Sequence, residues 1–172
     1  MPFTLHENTD VFEYMNGLEG NILFMHGCNA QGVMGAGVAK IVKQRWPKAF
    51  RVYQQLFDGV TNQKLREMFV GDVQLVPVTP QLTVVNAITQ HRYATRASMP
   101  GTQHASYEAI EKALLQLQRL LVKDGLEYDH YVTVPVGCGL GGLGWERDPV
   151  YDEEGAARLF EASPLHWQVC RL

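Results

Sequence analysis

Two glycine-rich loops constrain this chain more than any other feature. Each follows a short apolar run of the kind that forms a buried strand. The first run is Ile22-Leu23-Phe24-Met25-His26, and the loop after it carries Gly32, Gly35 and Gly37. The second run is Tyr131-Val132-Thr133-Val134-Pro135-Val136, and the loop after it holds five glycines within the eight residues 137–144. Glycine tolerates positive φ and lets a backbone approach a ligand closely. A helix after such a loop adds free amides and the positive end of its dipole. Two such loops at strand ends form a clamp for a diphosphate that needs no basic side chain. The alternative for each is a tight or flexible turn without a ligand. Apolar Leu140, Leu143 and Trp145 within and beside the second loop argue against simple flexibility.

The rest of the chain alternates strand and helix patterns. Strands are expected at 3–7, 22–26, 73–78, 82–89, 131–136 and 166–172, with a tight turn at 78–81. A helix is expected at 38–46, where Val38, Ile41, Val42 and Trp46 recur at helical spacing, and Pro47 separates it from a second at 48–57. Val52, Leu56 and Tyr53 make the expected buried face of that second helix. The clearest helix spans 104–123, with Tyr107, Ile110, Leu114, Leu117 and Leu121 on one face and Gly125 at its end. A last helix is expected over 149–162, started by Asp148 and Pro149. Residues 11–14 are a short apolar patch, 58–68 give no clear signal, and 90–103 read as a loop. This order implies an α/β domain with helices on both sheet faces and ligands at the carboxyl ends of the strands.

The chain has 172 residues, which is about one domain at ~150 residues each, so 1–172 is read as a single unit. Fifteen Lys and Arg against eighteen Asp and Glu give a net charge of -3, which excludes bulk nucleic-acid binding. Cys28, Cys138 and Cys170 are far apart and form no C-x-x-C, so they read as reduced thiols. No Asp/His cluster suggests a metal. The opening residues lack a signal-peptide pattern, and no apolar run is long enough to span a membrane. A cytoplasmic monomer without cofactor or metal is expected. The run 137–142 matches G-x-G-x-x-G, but no second half follows to complete a dinucleotide fold. The first loop lacks the Lys-Ser or Lys-Thr of a Walker A motif.

Four segments in this order are similar to the macrodomain family. They are Asn29-Ala30-Gln31-Gly32-Val33-Met34-Gly35-Ala36-Gly37-Val38-Ala39, Asn86-Ala87-Ile88-Thr89-Gln90, Ser106-Tyr107-Glu108-Ala109-Ile110, and Pro135-Val136-Gly137-Cys138-Gly139-Leu140-Gly141-Gly142 with Trp145. The resemblance covers nearly the whole chain. It is strongest to the ADP-ribose 1″-phosphate phosphatases of bacteria and phages. It implies a three-layer α/β/α fold with a central mixed sheet and a cleft for ADP-ribose or ADP-ribose 1″-phosphate. By that resemblance Asp10 accepts from the adenine amino group, with Val11 beside it. Gly35, Ala36, Gly37 and Val38 form the first diphosphate loop. Gly137, Cys138, Gly139, Leu140 and Gly141 form the second. Asn29 contacts the distal ribose.

The implied activity is hydrolysis of the 1″-phosphate, with His26 as general acid and base and Gln90 orienting the substrate. His26 also reads as a core histidine, Asn29 as a turn residue and Asp10 as a turn residue. The alternatives are a non-catalytic reader or sequestering module, or an ADP-ribosyl hydrolase acting on modified macromolecules. Three departures bear on this. Thr9 replaces the usual glycine before Asp10. Gln90 stands where related hydrolases carry a Lys, and an amide cannot titrate. Gly141 stands where the glutamate-directed class carries an acid. His91, Arg92 and Arg96 read either as phosphate contacts or as solvated loop charges. Glu146, Arg147 and Asp148 are charged candidates near the ribose.

Overall fold

The computed structural model describes residues 3–172; Met1 and Pro2, at the head of the expected single unit, lie outside them. One six-stranded sheet runs through the described chain in the order β1-β6-β5-β2-β4-β3. Its strands are β1 (Phe3–Glu7), β2 (Ile22–Asn29), β3 (Val73–Pro77), β4 (Leu82–Gln90), β5 (His130–Thr133) and β6 (Trp167–Arg171). Five run parallel, and β3 pairs antiparallel with β4 through the expected tight turn. The sheet is therefore mixed, as expected. All five parallel strands end along one edge, and that edge is where the loops must gather.

The helices are α1 (Val11–Asn16), α2 (Gly37–Arg45), α3 (Pro47–Gln55), α4 (Gln63–Glu67), α5 (Tyr107–Asp124) and α6 (Ala157–Glu161). Helix α5 packs Ile110, Leu114, Leu117 and Leu121 against Leu23, Met25, Val85 and Ala87, with Phe160 of α6 and Trp167 beside them. On the other face α1 and α2 bury Val11, Phe12 and Val42 against Ile22, Phe24 and Val84. The result is a three-layer α/β/α arrangement. Ser106 caps α5 by accepting from Ala109 N–H, and Gly125 closes it in the left-handed region at φ 61°. No helix among the described residues is long and apolar enough to cross a membrane.

Some sequence expectations change. The patch at 11–14 is α1, because the Asp10 side chain caps it by accepting from Phe12 and Glu13 N–H. Asn62 does the same for α4, inside the stretch that gave no signal. In α3 the buried residues are Ala49 and Tyr53, while Val52 and Leu56 are only half-buried. β5 ends at Thr133, so residues 134–136 already belong to the loop. The expected helix at 149–162 shrinks to α6. Residues 144–156 instead fold back on themselves, with Gly155 N–H bonded to Glu146 O at 2.8 Å and Asp148 N–H to Glu153 O at 2.7 Å.

Strand alternation decides where His26 points. Met25 faces α5, so His26 faces α3, where it is fully buried. Asn86 donates from Nδ2 to Ala49 O at 3.0 Å and to Gln74 Oε1 at 3.2 Å. Its Oδ1 is thus the acceptor for His26 Nε2–H at 2.7 Å. Nδ1 has no partner among the described residues. Burial holds this imidazole down at about 4, against the smaller opposing effect of the Asn86 bond. An unfolded chain takes up a proton at His26 below about pH 6.5, whereas the folded chain does not until about 4. Stability should therefore fall on acidification across that window, by up to about 3 kcal/mol from this group. Urea unfolding at a series of pH values checks this. The His26→Gln variant should lose that component, and an equal acid loss in the variant would contradict the assignment.

Candidate functional site

A cavity of about 1010 Å³ lies along the edge where the parallel strands end. Every parallel strand contributes to it. Thr9 to Phe12 enter after β1, the loop between β2 and α2 forms one long wall, and Gln90, Tyr93 and Ala94 enter after β4. The loop after β5 forms the opposite wall, and Cys170, Arg171 and Leu172 close the end beside β1. All the sequence-expected binding residues line this one cavity: Asp10, Val11, Asn29, Gly35, Ala36, Gly37, Val38, Gly137, Cys138, Gly139, Leu140 and Gly141. Gln90 lines it too. His26 does not, because the alternation of β2 turns it into the core under α3. The expectation that His26 acts there as acid and base is corrected on that geometry.

Helix α2 starts at the cavity wall without a side-chain cap. Ala36 occupies the cap position, where Ser or Asp would normally accept from the first amides. The N–H groups of Gly37, Val38 and Ala39 thus take no side-chain cap, and all three residues line the cavity. Gly37 has φ 59°, a left-handed conformation that only glycine adopts cheaply. In the facing loop, Cys138 N–H bonds Pro135 O at 3.1 Å, and Gly142 N–H bonds Gly139 O at 3.1 Å. The N–H groups of Gly139, Leu140 and Gly141 donate to nothing within the protein among the described residues. The one cavity is thus lined by two sets of amides without partners in the protein among the described residues.

Two tyrosines, buried Tyr53 and half-buried Tyr107, hold the two loops in shape. The Tyr53 hydroxyl lies 2.7 Å from Asn29 Oδ1 and 2.8 Å from Asn29 O, and accepts from Val33 N–H at 3.1 Å. Asn29 completes the knot by accepting from Gln31 N–H at 2.9 Å and donating to Val33 O at 2.8 Å. In the second loop the Tyr107 hydroxyl donates to Asp148 Oδ2 and accepts from Gly144 N–H at 3.1 Å. Asp148 Oδ2 also accepts from Gln103 Nε2, and its Oδ1 accepts from Val150 and Tyr151 N–H. The expectation that Asp148 starts a helix is corrected: it organises a closed loop. Gly141 O accepts from His104 and Ala105 N–H, which fixes the loop's far side.

The electrostatics exclude two kinds of chemistry. Arg147 and Arg171 are the Lys or Arg side chains lining the cavity. Arg147 is paired with Asp152 at 2.8 Å, and Arg171 with Glu7 and Glu146. An anion in this cavity therefore meets amides rather than a free cation. Burial pushes the Cys138 thiol up to about 12 and Cys170 up to about 11, and raises Cys28 well above its ordinary value. All three are thus held toward the neutral thiol, the weaker nucleophile. His91 and Arg92 lie outside the cavity, 4.0 and 3.9 Å from Glu67. No group of three or more His, Cys, Asp or Glu able to hold a metal occurs among the described residues.

No family model and no curated protein matches the chain in sequence. Solved structures do match in shape. A macrodomain protein from Streptomyces coelicolor aligns with TM-score 0.67 at 22% identity, over 98% of this chain and 97% of that one. The chain has the macrodomain fold. The macrodomain of Mycobacterium tuberculosis DarG aligns with TM-score 0.63 at 18% identity, over 98% and 97%. Thermosipho africanus DarTG, solved in complex with ADP-ribose, aligns with TM-score 0.67 at 20% identity, over 98% of this chain and 42% of that longer one.

The apolar face of the 104–123 helix places Tyr107 with Ile110 and Leu114, and nothing in that pattern shows its hold on Asp148 and Gly144. The only local hint was its place one residue after the Ser106 cap. Tyr107→Phe removes the hydroxyl shared by Asp148 and Gly144. It should cost about 1–3 kcal/mol of unfolding free energy, because Gly144 N–H and one Asp148 oxygen lose a partner. Burial works against the Asp148 charge. The donors Tyr107, Tyr151 N–H, Val150 N–H and Gln103 outweigh it and hold the carboxyl at about 2. That contribution is present above about pH 4 and is lost as pH falls toward about 2. Urea unfolding at neutral and acid pH checks both points, and unchanged stability in the variant would contradict the first.

Proposed function

We propose that this chain binds ADP-ribose along the cleft and holds it without turnover, as a reader or sequestering module. The observation that carries this is the pair of amide sets without protein partners at the start of α2 and at 139–141. A diphosphate between them would satisfy both, and the uncapped helix end adds its dipole. At the β1 end, Asp10 uses Oδ1 to cap α1, while Oδ2 stays free to accept from an adenine amino group. At the β4 end, Gln90 donates from Nε2 to Arg92 O and keeps its carboxamide oxygen for the distal ribose, while Asn29, held in the Tyr53 knot, has one Nδ2 hydrogen left to give. The shape shared with a macrodomain solved with ADP-ribose supports the same ligand.

Binding without turnover is favoured by what lines the distal end. Asn29 and Gln90 do not titrate, the cysteines stay thiols, and His26 lies on the far side of the sheet from the α5 wall. Position 90 offers no lysine and position 141 no acid, which weighs against an ADP-ribosyl hydrolase. One observation favours a second reading, hydrolysis of the 1″-phosphate. The free amides of Gly139, Leu140 and Gly141 would stabilise charge developing on a phosphoryl group. Activation of water would then fall to the ligand's own phosphate.

Phosphorus NMR of ADP-ribose 1″-phosphate separates the two. The expected outcome is shifted diphosphate signals and no free phosphate. Release of phosphate would select the second reading, and unshifted signals would overturn ADP-ribose binding. A variant tests the amide clamp. A Cβ at Gly141 would sit 2.6 Å from Gly137 O and 2.9 Å from Ala105 Cβ, so the loop must move to accept it. Gly141→Ala should weaken ADP-ribose at least about tenfold by calorimetry, because the amides lose their alignment. Unchanged affinity would remove this loop from the site.

A further inference from the structure

We infer that Glu146, anchored by Arg171, reads the adenosine ribose and restricts the cleft to ligands without a phosphate on its 2′-oxygen. The inference rests on the ADP-ribose reading above and deepens it. Asp10 to Phe12 at the start of α1, the expected adenine side, line the cleft together with Glu146 and Arg171. Thr9 N–H bonds Arg171 O at 3.0 Å, which sets these two groups side by side, so the sugar next to that base would lie near Glu146.

The register of β1 and β6 places Glu7 beside Arg171. Arg171 grips both oxygens of Glu7, one through Nε at 2.9 Å and the other through Nη2. Its Nη1 donates to Glu146 Oε1 at 2.7 Å. The two carboxylates raise the guanidinium above its ordinary range, Glu7 more than Glu146, so it stays charged. Glu146 reaches the rim with its side chain 63% exposed, and the bond from Nη1 ties its Oε1 to Arg171. Its Oε2 has no partner among the described residues. A held carboxylate with one free oxygen suits a ribose diol, which offers two O–H donors. Carboxylates read the adenosine 2′-hydroxyl in the same way in dinucleotide folds.

The charge count makes the site selective. Glu146 at the rim and Glu7 behind it outnumber Arg171 by one charge, Asp152 offsets Arg147, and Asp10 adds another negative charge to the lining. A 2′-phosphate would bring about -1.5 to -2 more. The usual partner for such a phosphate is a free arginine. Here three of the five N–H donors of Arg171 are taken by Glu7 and Glu146, and Arg147 is paired with Asp152 through its Oδ1 and its carbonyl. The phosphate would meet like charge and no unpaired guanidinium.

Calorimetry with ADP-ribose and its 2′-phosphorylated analogue tests this on the native chain and on Glu146→Gln. The native chain should prefer ADP-ribose by at least about 30-fold, since like-charge contacts are strongly disfavoured. In Glu146→Gln the preference should shrink to about threefold, mainly because the analogue binds more tightly. For the native chain alone, the preference should also narrow as salt is raised, because screening weakens repulsion at an exposed rim. Equal affinities in the native chain would overturn the inference, as would an unchanged preference in the variant. Failure of both ligands to bind would overturn the ADP-ribose reading itself, and this inference with it.

Discussion

A glycine loop can offer free amides to a ligand only if something else holds it still. In this chain two tyrosine hydroxyls do so. Tyr53, rooted in α3, ties the Asn29 carbonyl, the Asn29 side chain and Val33 N–H into one knot. Tyr107, at the start of α5, ties Gly144 to Asp148. The two helices lie on opposite faces of the sheet, so each layer pins one wall of the cleft. The glycines supply conformational freedom, and the tyrosines remove the freedom that is not needed. This division lets the loops keep unsatisfied donors without collapsing onto one another.

The cleft's chemistry follows from this backbone-first design. Five parallel strands deliver five chain ends to one edge, so an elongated ligand can touch each of them in turn. Amides and a helix end replace cationic side chains, and both arginines at the rim are neutralised by carboxylates. Such a site distinguishes anions by shape and hydrogen-bond direction more than by charge. At its distal end it offers little that could transfer a proton, because the cysteines stay thiols and the Asn29 and Gln90 amides do not titrate.

The layered fold and the binding loops were legible in the sequence because their signals are local. Apolar runs ending in glycine mark strand ends, and the face from Ile110 to Leu121 marks α5. The orientation of His26 was not legible. Its strand is buried on both faces, so an unbroken apolar run carries no sign of which residues face which layer. The 144–156 loop was also hidden. Asp148-Pro149 is a sound helix start, but the Asp148 carboxylate is drawn to Tyr107, forty-one residues away in sequence. The Arg171 bond to Glu7 is longer in range still, at 164 residues, and no local pattern announces it or the bond to Glu146. Side-chain pairs that cross the fold become visible only when the strands are in register.

The most direct measurement of the central claim is an amide NMR titration of the isotope-labelled chain with ADP-ribose. The largest shifts should fall on the amides of Gly37, Val38 and Ala39 and on those of Gly139, Leu140 and Gly141. The ring signals of His26 should stay nearly still. Shifts centred elsewhere, or saturation of binding without movement of these six amides, would contradict the account of a diphosphate held by backbone donors.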